Sequence, residues 1–424
     1  MPLPRPPKAS GAFRHLRASD LRGVAQLATE ATHNVSRIAE AVHQAVWSTM
    51  GVAGGKQPGQ TRGITGMVYR SVRGVTVLVG QSLDTVLARL EPVLASAELA
   101  APGTPLREGV LAALNGVMGD RLAVMGNPLA TPMTLRWQGE ALRWQAMPAP
   151  HKLTGKLLVL VHGLCMNDLQ WHTQTGGDAQ HPTVVVDHGA ALADVLGYTP
   201  VYLRYNTGLH ISQNGHELAA QLEQLVAHWP VPVTELSVVA HSMGGLVARS
   251  AVRVAAQNGM AWPGQLNALV FLGTPHHGAP LERAGNWVDV MLGATPFSKP
   301  FARLAQLRSA GITDLRYGLV ADEDWQGHDR FERKADNRVH VPLPEGVACY
   351  TVAATMASQR SAQAERLIGD GLVPLPSALG QHEDRARALV FAKPSQWVAY
   401  GTNHMQLLSS PRVTEQLLNW LTPN

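Results

Sequence analysis

Ser242 stands in Ala240-His241-Ser242-Met243-Gly244-Gly245, between the apolar run Leu236-Ser237-Val238-Val239-Ala240 and the helically spaced Leu246-Val247-Ala248-Arg249-Ser250-Ala251-Val252. A strand, a tight turn and a helix would lift the serine hydroxyl above a sheet edge, where a base can take its proton. That turn brings strand and helix close together, so the residues two before and two after the serine must be small. They are Ala240 and Gly244. A serine capping a helix after a buried strand gives the same local pattern, and short motifs recur by chance, so the chemistry depends on partners. His162-Gly163-Leu164 follows the β-prone run Lys156-Leu157-Leu158-Val159-Leu160-Val161. Glycine lets the backbone turn there, so that the Leu164 N–H can face a developing negative charge, with the Met243 N–H as second donor. A plain strand-ending turn reads the same way. The candidate acid is Asp370 in Gly369-Asp370-Gly371-Leu372-Val373-Pro374, downstream of the apolar run Val347 to Ala353; an Asp-Gly turn is the simpler reading. The candidate base is His404, after a short strand and a glycine-containing loop and before the last helix. An imidazole titrates near neutral pH and suits proton transfer. His382, in the charged stretch Gln381-His382-Glu383-Asp384-Arg385, is the rival base, and Glu365 the alternative acid.

The chain order Ser242, Asp370, His404 is that of α/β-hydrolases, not of chymotrypsin or subtilisin. On these residues, and on Leu272-Gly273-Thr274-Pro275-His276-His277-Gly278-Ala279-Pro280 after a strand, the sequence resembles serine lipases and esterases of the α/β-hydrolase superfamily. The nearest branch takes in bacterial triacylglycerol lipases and inositol-deacylase-like proteins. The resemblance covers about residues 130 to 424. It implies Ser242 as nucleophile, His404 as general base, Asp370 as its orienting acid, and the Leu164 and Met243 N–H groups as an oxyanion hole. It also implies that the segment after Leu272 packs beneath the site and opens a lid insertion. Calcium-dependent bacterial lipases carry an aspartate shortly after the histidine; Met405-Gln406-Leu407-Leu408 has none, so no metal is carried over, and no cofactor is required.

The elements that would position these residues alternate from about residue 130. A hairpin is expected at 133–137 and 141–144, where apolar and polar residues alternate around Gln138-Gly139-Glu140. Strands at 156–161, 200–205, 235–240 and 266–272 interleave with helices near 187–196, 212–228 and 243–257, which predicts an α/β fold with a mostly parallel sheet covered on both faces. The insertion at about 279–345 should form the lid. Its first half holds Trp287, Met291, Phe297 and Phe301, fit either to line an acyl pocket or to form the lid's own core, and its second half is crowded with charge. Residues 1–18 read as a flexible arm. Residues 19–128 read as a helical region: one helix from Ser19 to about Met50 with an apolar stripe, a glycine-rich linker, a second from about Met67 to Leu99, and a third from about Arg107 to Met125. The catalytic domain is then 129–424.

Of 424 residues, 45% are hydrophobic, enough for a large core, and two cysteines give no disulfide framework. Residues 1–73 hold ten Lys and Arg against three Asp and Glu, a balance of +7, which leaves −3 for the rest of a chain of net charge +4. A basic end with an apolar stripe fits anionic lipid headgroups, or simply a solvated basic surface. No nucleic-acid motif accompanies it. The start of the chain lacks the apolar stretch of a secretory signal, and no run reaches about eighteen apolar residues, so the expectation is a cytoplasmic protein with peripheral membrane contact as an option and no stated oligomer. The expected activity is hydrolysis of carboxylic esters of lipid-like substrates through an acyl-enzyme. Acyl transfer through the same residues is one alternative; a non-catalytic membrane-associated scaffold with the hydrolase fold is another.

Overall fold

The computed structural model describes residues 105–423 apart from 148, 150, 152, 176–183, 280–307, 333–335 and 359–368, together with positions 19, 22, 23 and 26. Apart from those four positions, the expected first and second N-terminal helices lie outside the described residues, as do Trp287 to Phe301 of the insertion and Glu365. The chain divides into two compact units. The smaller takes in Met1–Arg107 and Val124–Leu129; within it Asn127 donates to Gly23 O at 3.1 Å and accepts from the Leu129 N–H at 2.9 Å.

The larger unit, Glu108–Ala123 and Ala130–Asn424, holds one sheet and its flanking helices. In chain order the elements are α1 (Pro105–Val124), β1 (Thr134–Trp137), β2 (Glu140–Ala141), β3 (Lys156–Val161), β4 (Thr173–Thr175), β5 (Val184–Val186), α2 (His188–Leu196), β6 (Thr199–Arg204) and α3 (Ile211–His228). They continue with β7 (Glu235–His241), α4 (Met243–Asn258), β8 (Leu266–Leu272), α5 (Ala310–Asp314), β9 (Ala348–Thr355), α6 (Leu375–Ala378), β10 (Gln396–Tyr400) and α7 (Pro411–Leu421). The sheet order is β10-β9-β8-β7-β3-β6-β1-β2. The strands from β6 to β10 across β3 are parallel, and β1 and β2 join the β6 edge antiparallel. This is the α/β-hydrolase fold, and the hairpin and parallel strands occupy the segments the alternation predicts. The short pair β4 and β5, antiparallel to each other outside the main sheet, is not legible in the sequence.

The central strands are mainly apolar because helices cover both faces. Leu157 to Val161 of β3 are all fully buried, as a parallel strand shielded on both sides requires. The helices follow from stripes and caps. Val413, Leu417 and Leu421 form the buried face of α7. The Asp187 side chain caps α2 at the Ala190 N–H, and Gly197 ends it in the left-handed region. Helix α1 lies with the sheet, not apart from it. A Cβ on Gly116 would sit 2.2 Å from Cys165 Sγ, and one on Gly119 1.9 Å from Asn206 Oδ1, so these two glycines let α1 approach the loops after β3 and β6. The returning arm of the insertion is part of the core too: Ala310, Ile312, Leu315 and Val320 are buried.

Candidate active site

Strand β7 ends at His241 and α4 begins at Met243, leaving Ser242 alone to turn the chain, with φ 56° and ψ −124°. A residue with a Cβ in the left-handed half of φ space costs on the order of 1–3 kcal/mol and persists only where its surroundings enforce it. Here the Ser242 N–H donates to Leu272 O at 2.8 Å, and Ser242 O accepts from the Gly245 N–H at 3.1 Å. The small residues behind it have no room to grow. A Cβ on Gly244 would stand 2.6 Å from the carbonyl oxygens of Val161 and His162, and one on Gly245 2.0 Å from Thr274 Oγ1. Ser242 is buried, and its Oγ makes no hydrogen bond among the described residues.

The loop after β3 passes directly over this turn. A Cβ on Gly163 would lie 3.0 Å from Ser242 Cβ and 3.1 Å from His241 Nδ1. Leu164 and Met243 are fully buried, and among the described residues neither backbone N–H donates a hydrogen bond. Two N–H groups thus remain uncommitted beside Ser242. The loop is braced from several sides. Cys165 takes a left-handed φ of 58° and donates its N–H to Thr207 Oγ1 at 3.2 Å. Asn167 donates to Glu108 O at 3.0 Å and so ties the loop to α1. The His162 ring stacks on Tyr205, centroids 4.4 Å apart, while Tyr205 donates to His162 O at 2.8 Å. Burial lowers the His162 pKa to about 4, so this imidazole is neutral and structural at neutral pH.

Asp370 and His404 come together although 34 positions separate them. His404 Nδ1 lies 2.6 Å from Asp370 Oδ2, and both side chains are almost fully buried. The other carboxylate oxygen, Oδ1, accepts from the Leu372 and Val373 N–H groups at 2.9 and 2.7 Å. The Asp-Gly turn read from the sequence therefore serves the carboxylate: Gly371 at φ 95° bends the chain so that two amides point back at Asp370. The His404 N–H also donates to Asp370 O at 3.1 Å. On either side of it, Asn403 and Gln406 exchange reciprocal side-chain-to-backbone bonds at 2.8 and 2.9 Å, which hold the histidine loop.

The two halves meet at Gly273 and His241. A Cβ on Gly273 would lie 3.1 Å from both Cε1 and Nδ1 of His404, so the imidazole packs closely against the backbone just after Leu272, which accepts from Ser242. His241, the residue before Ser242, donates from Nε2 to His404 O at 3.2 Å, and the two rings lie 4.7 Å apart. Burial, and then the neighbouring His404, hold His241 well below the usual imidazole range. His241 is the residue that sequence reasoning missed: it sits inside the motif, but an elbow does not demand its type. His382 lies elsewhere, with its ring 4.9 Å from that of His277. Among the described residues no cluster of three His, Cys, Asp or Glu is placed to hold a metal ion.

The family model for a domain of unknown function, DUF7379, matches residues 127–316. No curated protein matches the chain. Among solved structures the chain is similar to the mature form of Bacillus licheniformis lipase BlEst2, at 16% identity and a TM-score of 0.39 over 68% of this chain and 98% of that one. It is similar to Pyrococcus furiosus esterase Pf2001 at 14% identity and a TM-score of 0.32, over 63% and 80%. It is also similar to YbtT, a type II thioesterase from the yersiniabactin NRPS/PKS biosynthetic pathway, at 14% identity and a TM-score of 0.33, over 64% and 94%.

Proposed function

We propose that this protein hydrolyses carboxylic esters with lipid-like acyl groups through a covalent acyl-enzyme. The observation that carries this reading is the convergence at Gly273 and His241 of a strained, buried Ser242 and a buried His404–Asp370 pair. Asp370 accepts a hydrogen bond from the Nδ1–H of His404 and so fixes the tautomer that leaves Nε2 as the basic nitrogen. His404 Nε2 removes the proton from Ser242 Oγ as the oxygen forms its bond to the ester carbonyl carbon. The carbonyl π electrons move to oxygen, and the N–H groups of Leu164 and Met243 stabilise that charge; losing one such donor typically costs about 10²–10³ in turnover. Collapse expels the alkoxide, which takes the proton from His404. Water then repeats the sequence on the acyl-enzyme, releases the acid and restores Ser242. The contact between Ser242 and His404 closes when substrate binds, as is common for catalytic hydrogen bonds.

Within this reading the chain sits beside the bacterial triacylglycerol lipases and inositol-deacylase-like proteins, on the strength of His162-Gly163-Leu164, the Ser242 elbow and the Asp370 and His404 segments. The basic N-terminal segment would serve peripheral contact with anionic membranes; among the described residues no helix is long and apolar enough to cross one. The test is labelling of the full-length protein with a fluorophosphonate, alongside turnover of p-nitrophenyl esters of increasing acyl length. Wild type should label and turn over. Ser242→Ala and His404→Ala should do neither while keeping the wild-type circular dichroism spectrum, and His382→Ala should behave as wild type. A wild-type protein that neither labels nor hydrolyses any of these esters would sink the proposal in favour of a scaffold that has kept the fold.

A further inference from the structure

Ser242 Oγ makes no hydrogen bond among the described residues, so the nucleophile and its base are not held in register by a contact of their own. His241 supplies a direct link between them. It is the last residue of β7, paired with Leu272 of β8, and a peptide bond joins it to Ser242. Its Nε2–H donates to the backbone carbonyl of His404 at 3.2 Å, across 163 positions of the chain. The path from nucleophile to base is then one peptide bond, one stiff side chain and one hydrogen bond. The His404 N–H donates to Asp370 O at 3.1 Å. Both backbone polar groups of the base residue are thus held, one by the backbone of its acid and the other by the neighbour of its nucleophile. The same ring meets the loop over Ser242: a Cβ on Gly163 would lie 3.1 Å from His241 Nδ1.

The protonation state of His241 suits this place. Donation to a carbonyl puts the single proton of a neutral imidazole on Nε2 and leaves Nδ1 bare. Nδ1 has no hydrogen-bond partner among the described residues. His241 is fully buried, and burial, followed by His404 beside it, keeps it neutral. A cation here, with the two rings 4.7 Å apart, would oppose the imidazolium that His404 becomes as it takes the serine proton. The far end of the same turn has its own brace. His188, also buried, donates from Nε2 to Leu407 O at 2.9 Å and accepts from Thr414 Oγ1 at 2.8 Å, which ties the turn to α2 and α7. Losing the His241 bond would therefore displace the turn rather than release it. We propose that His241 is a positioning residue that sets the distance between His404 Nε2 and Ser242 Oγ through its hydrogen bond to His404 O, a role that rests on the acyl-enzyme reading above. Asp370 fixes the tautomer of the base, and His241 fixes its place.

The test compares full-length wild type with His241→Phe, His241→Gln and His241→Asn. Three quantities are read: steady-state hydrolysis of a short p-nitrophenyl ester, the rate of fluorophosphonate labelling, and the far-downfield proton resonance of the His404–Asp370 hydrogen bond. Phenylalanine fills the space of the ring and donates nothing. Since a misplacement of about 1 Å can cost about 10²-fold, kcat and the labelling rate should fall about a hundredfold in His241→Phe, with KM near wild type and the resonance kept. Glutamine carries an N–H at nearly the reach of Nε2 and should recover to within about tenfold of wild type. Asparagine is too short to reach the carbonyl and should be as slow as phenylalanine. Where His241→Phe fails to fold, the glutamine and asparagine variants decide the matter, with at least tenfold in kcat expected between them. Equal rates for those two, or His241→Phe within threefold of wild type, would overturn the proposal. Loss of the resonance in a folded His241→Phe would overturn it as well, by tracing the effect to the Asp370 contact. A wild-type protein that neither labels nor hydrolyses would end the hydrolase reading and this role with it; an active wild type with indifferent variants would end this role alone.

Discussion

Replacing Asp370 by asparagine tests the proposed division of labour in the site more sharply than deleting the serine, because the structure dictates which way the new amide must face. Asp370 Oδ1 accepts two backbone N–H groups, from Leu372 and Val373. In Asp370→Asn the amide oxygen must keep that place, since turning the NH₂ toward two donors would forfeit two buried hydrogen bonds at about 1–3 kcal/mol each. The NH₂ then faces His404 Nδ1, now at 2.6 Å from Oδ2. Nδ1 must accept, and the proton moves to Nε2, where the base is needed. The wrong tautomer in an otherwise intact triad lowers kcat by about 10⁴. Asp370→Ala removes the orienting group but imposes no tautomer, so it should keep more activity than the nearly isosteric asparagine. The assay is steady-state hydrolysis of a short p-nitrophenyl ester, with KM near wild type and the melting temperature measured in parallel. An asparagine variant within tenfold of wild type, or one more active than the alanine variant, would refute the reasoning and move the acid to another residue, Glu365 first.

Gly163→Ala puts a methyl group 3.0 Å from Ser242 Cβ and 3.1 Å from His241 Nδ1; a shift of a few tenths of an ångström in the loop over the nucleophile should cost about tenfold in kcat with little change in thermal stability, and unaltered turnover would show that this loop does not set the geometry. Acid should unfold the protein early. Burial lowers His162 to about 4 and pushes His188, His241 and His276 down as well, so the unfolded chain takes up protons near pH 6.5 that the fold refuses. That stability is complete above about pH 6.5 and is lost as the pH falls toward the folded values, with His162 alone contributing about 3 kcal/mol between about pH 6.5 and 4. Thermal melts should therefore drop steeply below about pH 6.5, and a Tm flat from pH 7 to 5 would contradict the neutral burial of these imidazoles. Truncation should distinguish α1 from what precedes it. A chain starting at Pro105 should hydrolyse a short ester but lose salt-sensitive binding to anionic vesicles, whereas one starting at Asn127 should lose hydrolysis too, because it lacks the helix that holds Asn167 and Cys165. Equal vesicle binding by the full chain and the chain from Pro105 would remove the membrane role.

Where a structural requirement is local, the sequence states it. A strand shielded on both faces must be largely apolar, so β3 and β8 are legible to the residue. A strand turning into a helix within one residue must use small neighbours, so the Ser242 turn is legible as well. The chain order of serine, acid and histidine adds a constraint that few folds meet. What tertiary structure alone decided is whatever depends on residues far apart in the chain. The Asp370–His404 contact spans 34 positions, and nothing local tells a carboxylate serving a histidine from an ordinary Asp-Gly turn. Nor does the amphipathic pattern of α1 reveal that Gly116 and Gly119 exist to admit Cys165 and Asn206. His241 reads as a spacer until its ring is found against His404. Arg249 reads as a charge on a helix, and only the return of the insertion at Val341 encloses it. Burial is a property of what packs against a residue from elsewhere in the chain, and with it come the electrostatics that separate a structural side chain from a functional one.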